Sequence, residues 1–364
     1  MDIAPETIGD TELAQLVRRF ARAHVLILGD VMLDRYVSGT ASRLSPEAPI
    51  PVLRPTARRA TLGGAANVAL NIATLGGQAS LVGVIGDDSE GSELTNLLGS
   101  SGIVPHLIVA PGRPTTAKTR FMAGTHQLLR LDEESTAEVD AVTADHVLSA
   151  FTQAIEAADI VVLSDYAKGV LSDTVLSGAL ERARAHGRVL IADPKRIDFA
   201  AYRGATVLTP NEQEVRQATR IDAADDAEAV RAGQCALEDT GCQAVVVTRS
   251  AKGLTLVRRD APALHLPTRA REVADVSGAG DTLVAALAVA LGAGAALPEA
   301  AMLANVTAGI SVGKPGTATV SQEAPVPSAE IRITCAGAAQ ISTVVSSTHS
   351  SEKPKSCASA PIPT

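Results

Sequence analysis

Aromatic residues and cysteines are scarce in this chain of 364 residues. Aromatics make up 2% of the sequence and tryptophan is absent, so the core must be aliphatic, as in helices packed on a parallel sheet. The four cysteines have neither metal-ligand nor redox spacing, which predicts reduced thiols. Surplus positive charge is also lacking, because the net charge is -8. That balance argues against nucleic acid as a partner.

Segments of secretory or membrane type are missing as well. The N-terminal sequence MDIAPETIGDTE lacks a basic region followed by an apolar stretch, so it is not of the signal-peptide type. The longest apolar stretch, 282–303, contains Pro298 and Glu299, and we predict a buried core helix there rather than a membrane span. We therefore expect a cytoplasmic protein with no membrane partner.

Short apolar runs alternate with helical segments along most of the chain. A helix is predicted at 11–23, and runs such as HVLILGD, DIVVLSD, RVLIAD and AVVVTRS are typical of buried strands. This alternation predicts a doubly wound α/β fold. Two β-rich insertions, 36–60 and 106–131, are expected to form a small separate sheet. The composition changes near residue 323, so we expect a domain at 1–322 and a largely disordered tail at 323–364.

The most informative motif is DVSGAGDT at 275–282, which directly precedes the long apolar stretch. Gly278 and Gly280 permit a tight turn that exposes the N–H groups of residues such as Ala279 at a helix start, where the dipole favours an anion. Asp281 beside that anion site can take a proton from a hydroxyl while the N–H groups stabilise a transferring phosphoryl group. A glycine-rich turn capped by aspartate is the alternative, and the motif in isolation would favour it.

A second motif leads to a family resemblance. D-x-x-G-A-G-D resembles the C-terminal signature of the ribokinase (PfkB) family of sugar kinases, and LGGAANVALNIATLGG at 62–77 resembles its N-terminal signature. The resemblance spans roughly residues 24–320 and implies a ribokinase-like α/β fold, with a mainly parallel sheet flanked by helices and a small β-sheet lid. It also implies Asp281 as the catalytic base, ATP and Mg²⁺ as cofactors and a homodimer formed through the lid. A monovalent-cation requirement stays open. The sugar contacts that it implies are Gly63, Gly64 and Asn67.

Two acidic residues near the end of the first predicted strand are further candidates. Asp30 ends that strand and Asp34 follows it, and carboxylates at such a place can accept hydrogen bonds from sugar hydroxyls. The resemblance supports Asp30 in this role. Helix capping or a surface charge is the alternative for both residues.

The resemblance also implies a nucleotide side of the site. TPNEQE at 209–214 carries Asn211 and Glu214, which would organise the ATP phosphates and Mg²⁺, with Glu214 acting on the metal through water. A capping arrangement at a helix start is an alternative that is compatible with this role. The other candidates on this side are Lys195, Thr248, Arg249, Gly253 and Asn305.

The stretch SRLSPEAPIPV at 42–52 is similar to heptose 7-phosphate kinases within that family. This similarity implies phosphorylation of the C1 hydroxyl to the 1,7-bisphosphate, a step toward ADP-heptose and lipopolysaccharide. A phosphorylated sugar needs cations at its far end, and Lys118, Arg120 and Arg130 could supply them or could be solvated strand residues. No H-x-G-H motif of a nucleotidyltransferase domain occurs, which predicts a kinase-only chain. The alternatives are a kinase for fructose 1-phosphate or tagatose 6-phosphate, and a non-catalytic sugar or nucleotide sensor.

Overall fold

The computed structural model describes residues 10–268, 276–313, 319–321 and 334–335. The helices are α1 (Asp10–Arg19), α2 (Ala65–Thr74), α3 (Ser89–Ser100), α4 (Ala141–Ala154), α5 (Asp173–Ala185), α6 (Glu212–Thr219), α7 (Asp226–Thr240), α8 (Ala279–Gly292) and α9 (Leu297–Ser311), with short 3-10 helices at Phe20–Arg22, Phe199–Tyr202 and Ser250–Lys252. The strands are β1 (His24–Gly29), β2 (Val31–Thr40), β3 (Arg54–Gly64), β4 (Gln78–Ile85), β5 (Val104–Val109), β6 (Ala117–Ala123), β7 (His126–Glu133), β8 (Ile160–Ser164), β9 (Val189–Asp193), β10 (Val207–Leu208), β11 (Ala244–Thr248), β12 (Leu254–Arg258), β13 (Ala261–Leu266) and β14 (Thr334–Cys335).

Ten of the described strands form one large sheet in the order β14-β13-β12-β11-β10-β9-β8-β1-β4-β5. The strands from β11 to β5 run parallel, and β12, β13 and β14 are added antiparallel at one edge. Strand β1 is buried on both faces, with Val25 and Ile27 in one core cluster and Leu26 and Leu28 in the other. This explains its continuous apolar run, since a parallel strand carries helices on both sides. The predicted α/β fold is confirmed.

The helices form a layer on each face of the large sheet. Apolar residues of α1, α2, α3, α8 and α9 belong to one core cluster, and those of α4, α5, α6 and α7 belong to the other. The prediction of a single helix over 282–303 is wrong, because α8 ends at Gly292 and α9 begins at Leu297. Gly294 lies in the left-handed region with φ 85°, and Pro298 occupies the first turn of α9. Both features favour a break between two helices.

A second sheet of four strands, in the order β3-β2-β6-β7, forms the predicted lid. Its strands extend beyond the first predicted segment, since β2 begins at Val31 and β3 ends at Gly64. The start of the second predicted segment, 106–131, is wrong: β5 pairs with β4 in the large sheet instead. Strand β5 is an edge strand that is partly exposed and contains Pro105 and His106, so its apolar run is shorter than that of a buried strand.

The parallel arrangement brings the carboxyl ends of β1, β8, β9, β10 and β11 to one edge of the large sheet, where ligands bind in open α/β sheets. Among the described residues Cys235 and Cys242 are free thiols. Within the described ranges, no helix combines the length and apolar character that crossing a membrane requires. The predicted tail at 323–364 lies outside the described residues, apart from Thr334–Cys335, which pair with β13. The domain limits therefore stay a prediction.

Candidate active site

Asp281 lies in the first turn of α8, where the sequence predicted the catalytic base. The helix is entered through Gly278, whose left-handed backbone (φ 78°, ψ 7°) replaces a side-chain cap. The N–H group of Ala279 donates to the Val276 carbonyl at 3.3 Å, and helix geometry directs the next first-turn N–H groups out of the helix end. A Cβ added at Gly280 would meet no heavy atom within 4 Å. The turn therefore presents backbone donors beside a carboxylate, as an anion site requires.

Both oxygens of the Asp281 carboxylate accept a hydrogen bond. Asn67 Nδ2, from α2, donates to Oδ2 at 2.6 Å, and the Tyr166 hydroxyl donates to Oδ1. Asn71, one turn further along α2, donates to the Asn67 carbonyl at 2.9 Å and accepts from Thr282 Oγ1 at 3.1 Å. These contacts fix α2 against α8. Asn67 was predicted to contact the sugar, and the structure adds a contact with the predicted base.

The surroundings of Asp281 change its acidity. Its side chain is 8% exposed, and this burial raises the pKa of Asp281 from 3.8 to about 6. The hydrogen bonds from Tyr166 and Asn67 lower this pKa, and the nearby charge of Asp34 raises it further. A carboxylate with a pKa near 6 is still largely ionised at neutral pH and is a stronger proton acceptor than an ordinary aspartate. Those two properties suit a general base.

Asp34 is brought close to Asp281 by the lid strand β2. Its carboxylate is buried, and Oδ1 accepts from Arg120 Nη1 at 2.5 Å. A Cβ on Gly63, which lies on the neighbouring strand β3 opposite Met32, would lie 2.5 Å from Asp34 Oδ2. Gly64 has φ 57°, and a Cβ there would lie 2.5 Å from the Asp30 carbonyl. The predicted glycine pair is thus required for close packing at the entrance to α2, next to the second predicted carboxylate.

Asp30 makes contacts that the sequence did not predict. Its Oδ2 accepts from the backbone N–H groups of Tyr166 (2.9 Å) and Lys168 (3.1 Å), and Oδ1 accepts from Val170 N (3.1 Å). The carboxylate is almost completely buried, and burial raises the pKa of Asp30. Asp30 therefore holds the loop that follows β8 and that carries Tyr166 to Asp281. Its contact with sugar hydroxyls stays a prediction.

The predicted lid cations share one face of the small sheet with Asp34. Asp34 lies opposite Lys118, Tyr36 lies opposite Arg120, and Arg120 lies opposite Arg130. Directly opposed residues of neighbouring strands point to the same side. The guanidinium of Arg120 also lies over the Tyr36 ring, 5.3 Å from its centroid. The structure therefore brings Lys118, Arg120 and Arg130 to the face that carries Asp34.

Acidic residues accompany these cations. Lys118 Nζ lies 3.1 Å from Asp132 Oδ2 and 2.9 Å from Glu134 Oε2. Arg130 pairs with Asp132 at 2.8 Å, and Lys168 Nζ lies 2.6 Å from Glu134 Oε1. The two lysines hold the pKa of Glu134 below its usual value by hydrogen bonds, against the effect of burial. Lys168, which sequence reasoning missed, thus joins the loop after β8 to the lid.

The predicted nucleotide-side residues meet at the ends of β9, β10 and β11. Lys195 Nζ lies 3.0 Å from Glu214 Oε1. Asn211 caps α6 by accepting from Glu214 N (2.9 Å), while its own N–H donates to Glu214 Oε2 (3.0 Å). Asn211 also forms a parallel bridge with Thr248. Asp193 lies beside this group, and burial followed by the charge of Glu214 raises its pKa well above the usual range.

This donor set fits a magnesium ion that keeps most of its water. The described residues contain no cluster of three or more His, Cys, Asp or Glu side chains arranged to enclose a metal. Mg²⁺ in phosphoryl-transfer sites commonly keeps several waters and uses one or two carboxylates together with substrate phosphates. Glu214, whose side chain is 12% exposed, suits such a contact through water.

Three other predicted nucleotide-side residues have structural contacts. The guanidinium of Arg249 is buried and donates to Asp226 at 2.5 Å. Gly253 has φ 85°, and a Cβ there would lie 2.0 Å from a carbonyl at the end of β13. Asn305 Nδ2 donates to the Pro267 carbonyl at 2.9 Å. These residues fix the β11–β12 turn and the segment after β13, and their contact with ATP stays a prediction.

Tyr166 and Lys168 are the residues that sequence reasoning missed in the site. They follow β8 directly, within the run VVLSDYAKG. The argument that selected Asp30, a polar residue at the carboxyl end of a buried strand, applies equally to them. Tyrosine is also rare here, with three in the whole chain, so a tyrosine at a strand end was an available signal.

Comparison with known proteins identifies the family of this chain. Residues 22–324 match the family described as pfkB family carbohydrate kinase. Two similar relatives are the bifunctional proteins HldE of Paramagnetospirillum magneticum, 50% identical over 312 residues, and of Caulobacter vibrioides, 48% identical over 314 residues. These alignments cover 85% and 86% of this chain and 64% of each relative, so the chain spans less than two thirds of their length.

Solved structures show the same fold. Arabidopsis thaliana ribokinase complexed with ribose and ATP gives a TM-score of 0.64 at 20% identity, over 81% of this chain and 94% of that one. Escherichia coli phosphofructokinase-2 in complex with substrates and products gives 0.69 at 20% identity, over 83% and 96%. At such identities the likeness concerns the fold alone. Because the family match extends over most of the sequence, the predicted resemblance is confirmed, and the chain belongs to the pfkB family of carbohydrate kinases, which are phosphotransferases.

Proposed function

We propose that this protein transfers the γ-phosphoryl group of ATP to the C1 hydroxyl of D-glycero-D-manno-heptose 7-phosphate, giving the 1,7-bisphosphate. The product would serve ADP-heptose synthesis for lipopolysaccharide. The observation that carries the reaction type is the buried Asp281 carboxylate, with its pKa of about 6, in the first turn of α8. The sugar assignment is supported by the similarity to the HldE proteins and by the stretch at 42–52.

The chemistry follows from charge development in the transfer. Asp281 takes the proton of the attacking hydroxyl, which becomes more acidic as the oxygen–phosphorus bond forms. The backbone N–H groups at the start of α8, except that of Ala279, which donates to the Val276 carbonyl, and the ammonium group of Lys195 stabilise the negative charge on the transferring phosphoryl group. When bound, Mg²⁺ neutralises phosphate charge, and Glu214, positioned by Asn211, would hold it through water. Thr248 lies beside this pair at the end of β11.

The lid supplies the sugar side of the proposal. Asp34 would accept from sugar hydroxyls next to the base. The 7-phosphate would be bound by Lys118, Lys168 and Arg130. It must compete for these cations with the carboxylates of Glu134 and Asp132. Phosphate carries up to two negative charges at neutral pH against one for a carboxylate, so this competition favours a phosphorylated sugar over an unphosphorylated one. Closure of the lid would exclude water and suppress ATP hydrolysis.

A homodimer through the lid is part of this proposal. Leu129 and Leu131 on the edge strand β7 are 59% and 47% exposed. Exposed leucines on an edge strand favour pairing with a second copy. Sedimentation of the wild type and of a Leu129→Lys, Leu131→Lys double variant tests it. A dimer that the double variant lacks supports the proposal, and a monomeric wild type contradicts it.

The activity is tested by ADP release from the purified protein with Mg-ATP across a panel of phosphosugars. The panel contains the heptose 7-phosphate, fructose 1-phosphate, tagatose 6-phosphate and a sample without sugar. Rapid turnover with the heptose 7-phosphate, accompanied by loss of its reducing end, is expected. Asp281→Asn should lower that rate by about 100-fold or more. Asp145→Asn, at an exposed position of α4, is the matched control and should retain full activity.

Other results would change the assignment in defined ways. Turnover with a hexose phosphate in place of the heptose would keep the base and overturn the substrate. ATP binding without turnover of any sugar would support a sugar or nucleotide sensor on the same fold.

A further inference from the structure

Tyr166 is an aromatic residue whose side chain contacts the predicted base. Its hydroxyl donates to Asp281 Oδ1, on the opposite side of the carboxylate from Asn67. Burial and the Asp281 charge hold the pKa of Tyr166 well above its usual range, so the hydroxyl keeps its proton at neutral pH and can only donate to the carboxylate. The contact is a hydrogen bond to a charged acceptor, the stronger class of such bonds.

The loop that carries Tyr166 is held by two carboxylates. Asp30 accepts from the N–H groups of Tyr166 and Lys168, and Asp165 Oδ1 accepts from Ala167 N at 2.8 Å. Ala167 has φ 53°, a left-handed conformation that is unfavourable for alanine. A strained residue persists only where the surrounding structure imposes it, and here the imposed turn directs the neighbouring tyrosine toward Asp281.

We propose that Tyr166 is a positioning residue for the base: its hydroxyl fixes the orientation of the Asp281 carboxylate and stabilises the charged form, and Asp30 acts through it. This inference rests on the proposed function, because it assigns a role within that same site. It gives the buried Asp30 a purpose in the reaction that involves no contact with the sugar.

The charges around Asp281 make this donor necessary. Asp34 on β2 lies near the carboxylate, and its charge disfavours a further negative charge there. Asp193 at the end of β9 is a second acidic neighbour, whose pKa is raised by burial and by the charges of Glu214 and Asp281. Asp34 is paired with Arg120, and Asp193 is bonded to a threonine hydroxyl. Among the described residues, no Lys or Arg side chain forms an ion pair with Asp281. Tyr166 and Asn67 are therefore the groups that stabilise its anion.

The substitution Tyr166→Phe removes the hydroxyl and keeps the ring. Without this donor the carboxylate should hold its proton more tightly, so the acidic limb of kcat/KM should move to higher pH by about one unit. The loss of rate should be largest near pH 6 and should diminish as the pH rises. The phosphate of the substrate also titrates near pH 6, but it is the same for every variant, so the difference between variants is the readout.

Tyr202→Phe is the matched control. The Tyr202 hydroxyl donates to Asp165 Oδ2 at 2.6 Å and accepts from the N–H groups of Lys195 and Arg196. This variant therefore loses hydrogen bonds near the same loop, and its rate can fall, but the Tyr166 hydroxyl on Asp281 is kept. Its acidic limb should stay where the wild type has it. A Tyr166→Phe limb that does not move, whether the rate is unchanged or falls equally at every pH, would overturn the inference, as would an equal shift in Tyr202→Phe.

A second readout separates this inference from the proposed function. The pH dependence of unfolding reports the Asp281 carboxyl without any substrate. As the pH rises from 5 to 8, the unfolding free energy of Tyr166→Phe should fall by more than that of the wild type. This result does not depend on whether a phosphosugar is turned over. Inactivity of the wild type with every sugar, combined with this extra loss, would refute the proposed substrate and keep the contact. An unchanged pH dependence of unfolding would refute the role of Tyr166 itself.

Discussion

Replacement of Asp281 by asparagine should stabilise the folded protein at neutral pH, and the gain should disappear in acid. The reason is that the buried carboxyl is difficult to ionise. Its pKa is raised from 3.8 to about 6 by burial, with a further contribution from Asp34. Asparagine has nearly the same shape and no charge at any pH. The variant therefore removes the unfavourable ionisation while keeping most of the packing at the start of α8.

The sign and size follow from proton linkage. The pKa of Asp281 is higher in the folded state than in the unfolded state. The folded protein therefore loses stability as the pH rises from below the unfolded-state pKa to above the folded-state pKa. The full loss is about 3 kcal/mol, from about two pKa units at about 1.4 kcal/mol each. Between pH 4.5 and pH 8, about 2 kcal/mol of this difference should be visible. The amide accepts one fewer hydrogen bond, which costs about 1 kcal/mol at every pH.

Urea unfolding of the wild type and the Asp281→Asn variant at a series of pH values measures this effect. Unfolding is preferable to kinetics here, because the substrate phosphate also titrates near pH 6. The difference in unfolding free energy should grow in favour of the variant as the pH rises. Asp145→Asn, at an exposed site on α4, should give a difference that does not change with pH. A constant difference for Asp281→Asn would show that the carboxyl ionises without penalty, and the assignment of a near-neutral base would fail.

Three further substitutions test separate parts of the site. Gly63→Ala places a Cβ 2.5 Å from Asp34 Oδ2, so it should raise the KM for the sugar by roughly tenfold or more while ATP binding is retained, as measured by steady-state kinetics and ATP titration. Gly253→Ala places a Cβ 2.0 Å from the Leu266 carbonyl at φ 85°, so it should lower the unfolding free energy by more than about 1 kcal/mol, as measured in urea. Lys168→Ala should raise the KM for the phosphosugar by roughly tenfold and leave the KM for ATP unchanged, since it removes a charge that we propose binds the sugar phosphate.

Much of the fold was predictable because burial on two faces leaves a clear pattern. The run at β1 is apolar without interruption, as a strand between two helix layers must be. Strand β5 shows the limit: it lies at the edge of the sheet and is partly exposed, so its apolar run is interrupted by Pro105 and His106 and is a weaker signal. The break between α8 and α9 was missed for a related reason. Both helices are largely buried, and the apolar pattern continues across the turn at Gly294.

The candidate site divides in the same way. Asp281 and Gly278 were predictable because their roles depend on local backbone geometry, a left-handed glycine followed by a helix start. The role of Asp30 depends on N–H groups that lie 136 to 140 positions further along the chain, and no local pattern encodes that distance. The same reasoning applies to Tyr166, because its partner Asp281 lies 115 residues away in the sequence. The contacts that Asp30, Asn67 and Tyr166 make with distant partners are therefore the part of the site that the sequence did not predict.

The pKa of Asp281 illustrates the physical reason for this division. The strength of Asp281 is set by donors from α2 and from the loop after β8, and by the charge of Asp34 on the lid strand β2. Each of these groups is delivered by a different layer of the molecule: a helix, a strand end and the small sheet. A local motif can place a carboxylate at a helix start, but it cannot determine the pKa of that carboxylate, because burial and the neighbouring charges are properties of the assembled fold. The glycine-aspartate motif thus identifies the proposed base, and the tertiary structure raises the pKa of its carboxyl to about 6.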